Sequence, residues 1–327
     1  MATHHQVLII GGGTAGIMTA AQLLEQKISN NVAIIEPAST HYYQPAWTLV
    51  GAGTYDYDNT GRPMADVMPK GVEWIMDKAT GFDAENNTVK TEVSGDITYD
   101  YLVVSPGLAY DFSLVPGLGE AMDKGVVCSN YTDPLHTWNV VKNFKGGTGL
   151  FTQPATPIKC GGAPQKIMYL AESHWSKSKT RLNSEVLFAT AGTVIFGVKE
   201  IAATLMKVID RKDINIRFNH KLVEVDGENQ IAWYELTKDV SAGGCVEMAE
   251  QEGNERIDKD FQHNYKDVKV TVKDGRYGIH YDMLHTAPPS VAPKFVQQSN
   301  LVNADGWLDV DKHTMQHNKN ANIFGLG

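Results

Sequence analysis

The sequence predicts an α/β fold of two nested βαβ-type domains, and three observations carry that reading. A Gly11-Gly12-Gly13-Thr14-Ala15-Gly16 turn follows a short apolar run and opens a helical pattern. The phrase Tyr99-Asp100-Tyr101-Leu102-Val103-Val104-Ser105-Pro106-Gly107 recurs in related form at Tyr281-Asp282-Met283-Leu284-His285-Thr286-Ala287-Pro288-Pro289. A second strand–turn–helix pattern, Glu185 to Thr190 and then Ile195 to Ile209, precedes the second copy.

Taken in order, Gln6 to Ile10 is a strand, and Ile17, Ala20, Ala21, Leu23 and Leu24 mark one face of the helix after the turn. Val32 to Ile35 is the next strand and ends in Glu36, 20 residues beyond Gly16. GxGxxG between a strand and a helix, with an acid at that distance, is a Rossmann-like dinucleotide fingerprint. Gly11 makes the tight turn, Gly13 lets backbone approach a pyrophosphate, and Gly16 lets the helix pack closely. The helix N-terminus then faces the phosphates and Glu36 takes ribose hydroxyls. The first domain is expected to take residues 1–108 and 290–327, and the second 109–289. The second turn, Thr190-Ala191-Gly192-Thr193-Val194-Ile195-Phe196-Gly197, has threonine where the first glycine should stand and too long a spacing. One dinucleotide is therefore expected, in the first domain, and no intact NAD motif in the second. Residues 238–266 are rich in Glu, Asp, Gly, Asn and Lys and read as a solvated insertion.

Bulk properties narrow the function. With 327 residues there is room for two cores, and a net charge of −9 argues against nucleic acid as a partner. No run of about 18 apolar residues occurs, so no membrane span is expected, and the first strand begins too early to leave space for a signal peptide. Of 11 histidines, none forms a metal-ligand spacing, so no metal is expected. The three cysteines, Cys128, Cys160 and Cys245, make neither a disulfide scaffold nor a CxxC site.

Cys160 stands apart. It lies in Lys159-Cys160-Gly161-Gly162-Ala163-Pro164-Gln165-Lys166, where Pro164 suits the first turn of a helix running through Ile167, Leu170 and Ala171. A thiol near a helix N-terminus and beside ammonium groups is held as thiolate, with Lys159 and Lys166 as its supports. Lys166 reads equally well as a solvated surface lysine. Cys245 reads as incidental.

These segments, with His41-Tyr42-Tyr43-Gln44-Pro45-Ala46-Trp47 and the closing Asn322-Ile323-Phe324-Gly325-Leu326-Gly327, resemble the sulfide:quinone oxidoreductases, in particular their mitochondrial-type branch. The resemblance runs through nearly the whole chain apart from 238–266. It implies FAD in the first domain, with Gly11, Gly13, Thr14, Ala15 and Gly16 at the pyrophosphate and Glu36 at the adenosine ribose. Gln44, the backbone near Ala79, Pro106-Gly107 and Gly327 would touch the cofactor elsewhere. It implies Cys160 as the flavin-facing member of a redox cysteine pair that oxidises hydrogen sulfide to sulfane sulfur. Electrons would go to a quinone, and the sulfur to a small acceptor such as glutathione, sulfite or sulfide. The family's second cysteine, the ribityl-binding Asp and the membrane-attaching helices lie beyond Gly327. The resemblance thus describes a C-terminally truncated, peripheral respiratory-membrane protein, bacterial or mitochondrial, expected to be inactive as this chain stands. A homo-oligomer stays open, and Cys128 keeps at most a minor role.

The rival readings make different demands. An NADH:quinone dehydrogenase needs a second intact GxGxxG, and a disulfide reductase needs a close cysteine pair after the first helix. A flavocytochrome-type sulfide dehydrogenase shares the sulfur chemistry but would be exported. A non-catalytic FAD-binding fragment is the remaining alternative.

Overall fold

The computed structural model describes residues 3–237 and 268–326. Insertion 238–266, with Cys245, and Gly327 lie outside the described residues. Two compact units emerge: Met1–Tyr43, Gly61–Ala109 and Val291–Gly327 form the first, and Gln44–Thr60 and Tyr110–Ser290 the second.

In the first unit, strands β1 (Thr3–Ile10), β2 (Val32–Ile35), β3 (Val72–Ile75), β4 (Ala79–Asp83), β5 (Thr88–Thr91) and β6 (Asp96–Val104) form one sheet in the order β3-β2-β1-β6-β5-β4. β1, β2, β3 and β6 run parallel, and the late strand Ile323–Gly325 pairs with the end of β6. Alternate side chains go to opposite faces, as strand geometry requires. Val7, Ile9, Val32, Ile34 and Val103 pack on one side with Ala20 of helix α1 (Thr14–Glu25). Leu8, Ile10, Ala33, Ile35, Leu102 and Val104 pack on the other. Burial on both faces is why these strands read as unbroken apolar runs.

The second unit repeats the plan. β7 (Val127–Cys128), β8 (Gly147–Gln153), β9 (Ser184–Thr190), β10 (Asn215–Arg217) and a later strand, Met283–Thr286, form a parallel sheet. Phe151, Val186, Phe188 and Met283 face one core, and Leu150, Leu187, Ala189 and Leu284 the other. The recurrent phrase has a structural meaning. β6 pairs with β1, and Met283–Thr286 pairs with β8, so each copy lies beside the central strand of its own sheet.

Two details differ from the sequence reading. Gln44–Thr60, inside the 1–108 stretch, clusters with the second unit. Its short helix α2 (Trp47–Val50) meets α3 (Pro134–Asn143) and α4 (Ala163–Ser178). The reason is packing. A β-carbon at Gly53 would lie 2.4 Å from the Trp138 ring. Asn130 joins the segment through Thr48, donating from Nδ2 at 3.1 Å, while its Oδ1 lies 2.7 Å from His285 Nε2. The second difference is the helix expected from Ile195. It begins at Lys199 and runs to Arg211 as α5, because Ile195 is spent filling the core as part of a loop.

Candidate functional site

The first unit carries the glycine turn. Gly11 has φ +99°, and a β-carbon there would sit 2.2 Å from the Ser105 carbonyl oxygen and 2.9 Å from Pro106 Cα. At Gly16 a β-carbon would sit 2.0 Å from the Gly11 carbonyl oxygen. Gly13 differs, since no atom lies within 4 Å of the position its β-carbon would take. Gly13 is extended at the N-cap of α1 and supplies no side-chain cap, and both it and Thr14 are exposed. The amides of Thr14, Ala15 and Gly16 thus begin a twelve-residue helix without a capping side chain, the arrangement that suits an anion.

Glu36 ends β2 and turns back over this turn. Its two carboxylate oxygens accept from the amides of Gly12 and Ala38, each at 2.7 Å. Gly12, which the glycine pattern alone does not single out for a role, makes that approach feasible: a β-carbon there would be 2.6 Å from Glu36 Cγ. His41 Nδ1 lies 3.2 Å from the Gly12 carbonyl oxygen. Pro106 flanks Gly11, and Gly107 has φ +77° with open space around it. Ala79 begins β4 with its side chain in the core. An open glycine, uncapped amides and a carboxylate at the adjacent strand end fit the pyrophosphate and ribose of a dinucleotide.

The second unit carries the thiol. Cys160 is exposed, in the turn before α4. Pro164 stands in the first turn of that helix, where its missing N–H costs nothing. Lys166 comes round one turn later and its Nζ lies 3.6 Å from Cys160 Sγ. Lys159 goes elsewhere, because adjacent side chains diverge. Its ammonium donates to Gln44 Oε1 and lies 5.4 Å from the centroid of the Tyr110 ring. Desolvation lowers its pKa. The structure therefore brings together Cys160 with Lys166, and Lys159 with Gln44. Tyr131, which no sequence motif singles out, donates its hydroxyl to the Cys160 carbonyl oxygen at 3.2 Å.

Cys128 is a core residue. It is sealed in β7, and burial pushes its thiol up despite a hydrogen bond with Thr137. That environment makes it a poor nucleophile. Among the described residues no cluster of His, Cys, Asp or Glu is placed to hold a metal ion, and no helix is long and apolar enough to cross a membrane.

The second βα turn is tied to its neighbours. Gln165 of α4, 2% exposed, donates from Nε2 to the Ile195 carbonyl oxygen. Ile195 packs against the core that also holds Ile167, Met168 and Ala171. The Gly192 amide is turned back onto Thr190 Oγ1 at 3.2 Å.

Comparison with known proteins adds independent findings. Residues 5–140 match the pyridine nucleotide-disulphide oxidoreductase family. The chain is 36% identical over 326 residues to the mitochondrial sulfide:quinone oxidoreductase of Mus musculus, covering 99% of this chain and 65% of that protein. It is 30% identical over 349 residues to the mitochondrial enzyme of the same description from Schizosaccharomyces pombe, covering 99% and 68%. It therefore spans just under two thirds of the mouse protein's length. Among solved structures, the sulfide:quinone oxidoreductase of Aquifex aeolicus superposes with a TM-score of 0.76 at 20% identity, covering all of this chain and 68% of that one. At that identity the superposition speaks to fold.

Proposed function

The chain belongs to the sulfide:quinone oxidoreductase family, and from that premise we propose that it serves FAD-dependent oxidation of hydrogen sulfide, with Cys160 as the sulfur-handling thiol and a quinone as electron acceptor. In the net reaction, hydrogen sulfide and a thiol acceptor lose two electrons and two protons to the quinone, leaving as persulfide and quinol. Glutathione fits the acceptor role directly, and sulfite or a second sulfide would take the sulfane sulfur in its place. Bound FAD supplies the two-electron relay between sulfur and quinone. This chain's own residues bind and orient. The amides of Thr14, Ala15 and Gly16 hold the pyrophosphate, Glu36 holds the ribose, and Gly13 leaves room for both. Lys166 sets an ammonium 3.6 Å from the Cys160 sulfur, where a sulfur that attacks or leaves meets a cation. A lipid-borne quinone makes the surface of a respiratory membrane the site of work, in keeping with the mitochondrial relatives.

The observation that carries this reading is the exposed thiol with an ammonium at 3.6 Å, in the turn before α4. The missing GxGxxG spacing in the second turn favours sulfide over NADH as donor. The test is anaerobic addition of sulfide, and separately of NADH, to FAD-loaded protein extended to the full length of the mitochondrial relatives, followed by a soluble quinone. Flavin bleaching by sulfide alone is expected, and Cys160→Ser should abolish it. Bleaching by NADH and not by sulfide would overturn the proposal.

A further inference from the structure

Resting on the reading of Cys160 as the sulfur-handling thiol, we propose that Tyr131 is a positioning residue whose hydroxyl fixes the turn that presents Cys160 to Lys166. The need for such a brace follows from the backbone. Gly161 and Gly162 separate the thiol from α4, and glycine is the least restrained residue a turn can contain. Neither glycine has an atom within 4 Å of the position its β-carbon would take, so no close neighbour presses on them at those points.

Two hydrogen bonds converge on the Cys160 carbonyl oxygen. The Ala163 amide donates at 3.1 Å and closes the turn into the helix. Tyr131 donates at 3.2 Å from outside it. Only the second ties the turn to a different part of the chain.

Tyr131 is itself well anchored. Its ring is 8% exposed and packs with Ala163 and Ala287, and Ile158 and Tyr110 border the same cluster. Its amide donates to Ser129 Oγ at 3.2 Å. Burial foremost, and then the neighbouring Cys160 and Tyr110, push its phenol up, so it stays protonated and remains a donor wherever the thiol works. The register between Cys160 Sγ and Lys166 Nζ depends on the angle at which the glycine turn enters α4. A fixed carbonyl orientation sets that angle.

Tyr110 supplies an internal control. It borders the same cluster, but its buried hydroxyl has no hydrogen-bond partner among the described residues. Removing it should leave the turn in place.

The experiment compares Tyr131→Phe and Tyr110→Phe with the parent, each in protein extended to the full length of the mitochondrial relatives. The rate of Cys160 alkylation by iodoacetamide is followed by mass spectrometry of its peptide, from pH 6 to pH 10. Loss of one hydrogen bond predicts that Tyr131→Phe slows alkylation about 3- to 10-fold at neutral pH. The gap should narrow as added base ionises the thiol in both proteins. Tyr110→Phe should follow the parent. In turnover with sulfide and quinone, Tyr131→Phe should lower kcat while the KM for quinone holds. A Tyr131→Phe pH profile that superimposes on the parent's, or equal slowing in Tyr110→Phe, overturns the proposal. Alkylation needs neither sulfide nor flavin. If the parent shows no sulfide oxidation, the proposed function fails while the alkylation comparison still decides the role of Tyr131.

Discussion

The two βα turns of this molecule start from the same plan and end with opposite uses. In the first, Gly11, Gly12 and Gly13 take the chain directly from β1 into α1. Glycines do what larger residues would prevent, and the last of them opens onto free space. In the second, residues 191–198 take the chain from β9 to α5 by a longer route. Ile195 packs into the core below it, and the Gln165 side chain donates to the Ile195 carbonyl oxygen. On the proposed reading the first turn leaves space for a ligand, and the second packs against the helix that follows Cys160.

Gly16→Ala is the most severe way to break the comparison. The new methyl would meet the Gly11 carbonyl oxygen, backbone that cannot swing aside, at 2.0 Å, with Ile9 Cγ2 at 3.2 Å. Overpacking against backbone should cost about 3 kcal/mol or more. Thermal unfolding should show it as a drop of many degrees, with FAD retention lost in the same variant.

In the second turn the corresponding damage comes from removing a side chain. Ile195→Ala empties a position that is 4% exposed in the core beneath α4. Truncation of a buried isoleucine costs about 2–5 kcal/mol. Denaturant unfolding should find that loss, with FAD affinity of the first unit unchanged. An Ile195→Ala protein as stable as the parent would mean that the turn is not packing surface.

The contrast between the turns was half legible in the sequence. The glycine spacing and Glu36 announced the first turn, because the requirement is local: only glycine tolerates those approaches. The absence of the pattern at Thr190 was equally plain. What packs beside it was not. Ile195 and Phe196 continue an apolar run, and periodicity cannot separate a helix start from a core-filling loop, so α5 was expected four residues before Lys199. By contiguity alone Gln44–Thr60 reads as part of the first domain. Its attachment to the second depends on Trp138 and Asn130, about 80 residues away in the chain, and no local signal reports that. Around Cys160, nearness in sequence favoured both lysines, yet helical geometry delivers Lys166 to the sulfur and an adjacent position sends Lys159 to Gln44. Tyr131 lies 29 residues before its partner and acts on a carbonyl group, which carries no residue-specific mark at all.

Gly13→Ala is the mildest change to the fold and the sharpest to the comparison. A β-carbon at Gly13 meets nothing within 4 Å, and the residue's φ of −78° is one that alanine adopts freely. Folding stability should therefore fall by no more than about 1 kcal/mol, the cost of alanine at an N-cap. The same methyl would project from the N-cap of α1, into the space a pyrophosphate must enter if the uncapped amides are its ligands. Near-parent melting with FAD affinity weakened by about tenfold or more, roughly 1.4 kcal/mol, is the expected pair of results. Fluorescence titration of the apoprotein with FAD measures the second of them. Gly16 and Gly13 then separate two reasons for a glycine in one motif: the first protects the fold from itself, and the second protects the space of a ligand. If Gly13→Ala binds FAD as the parent does, the open side of the turn is not where the phosphates lie, and the first turn loses its distinction from the second.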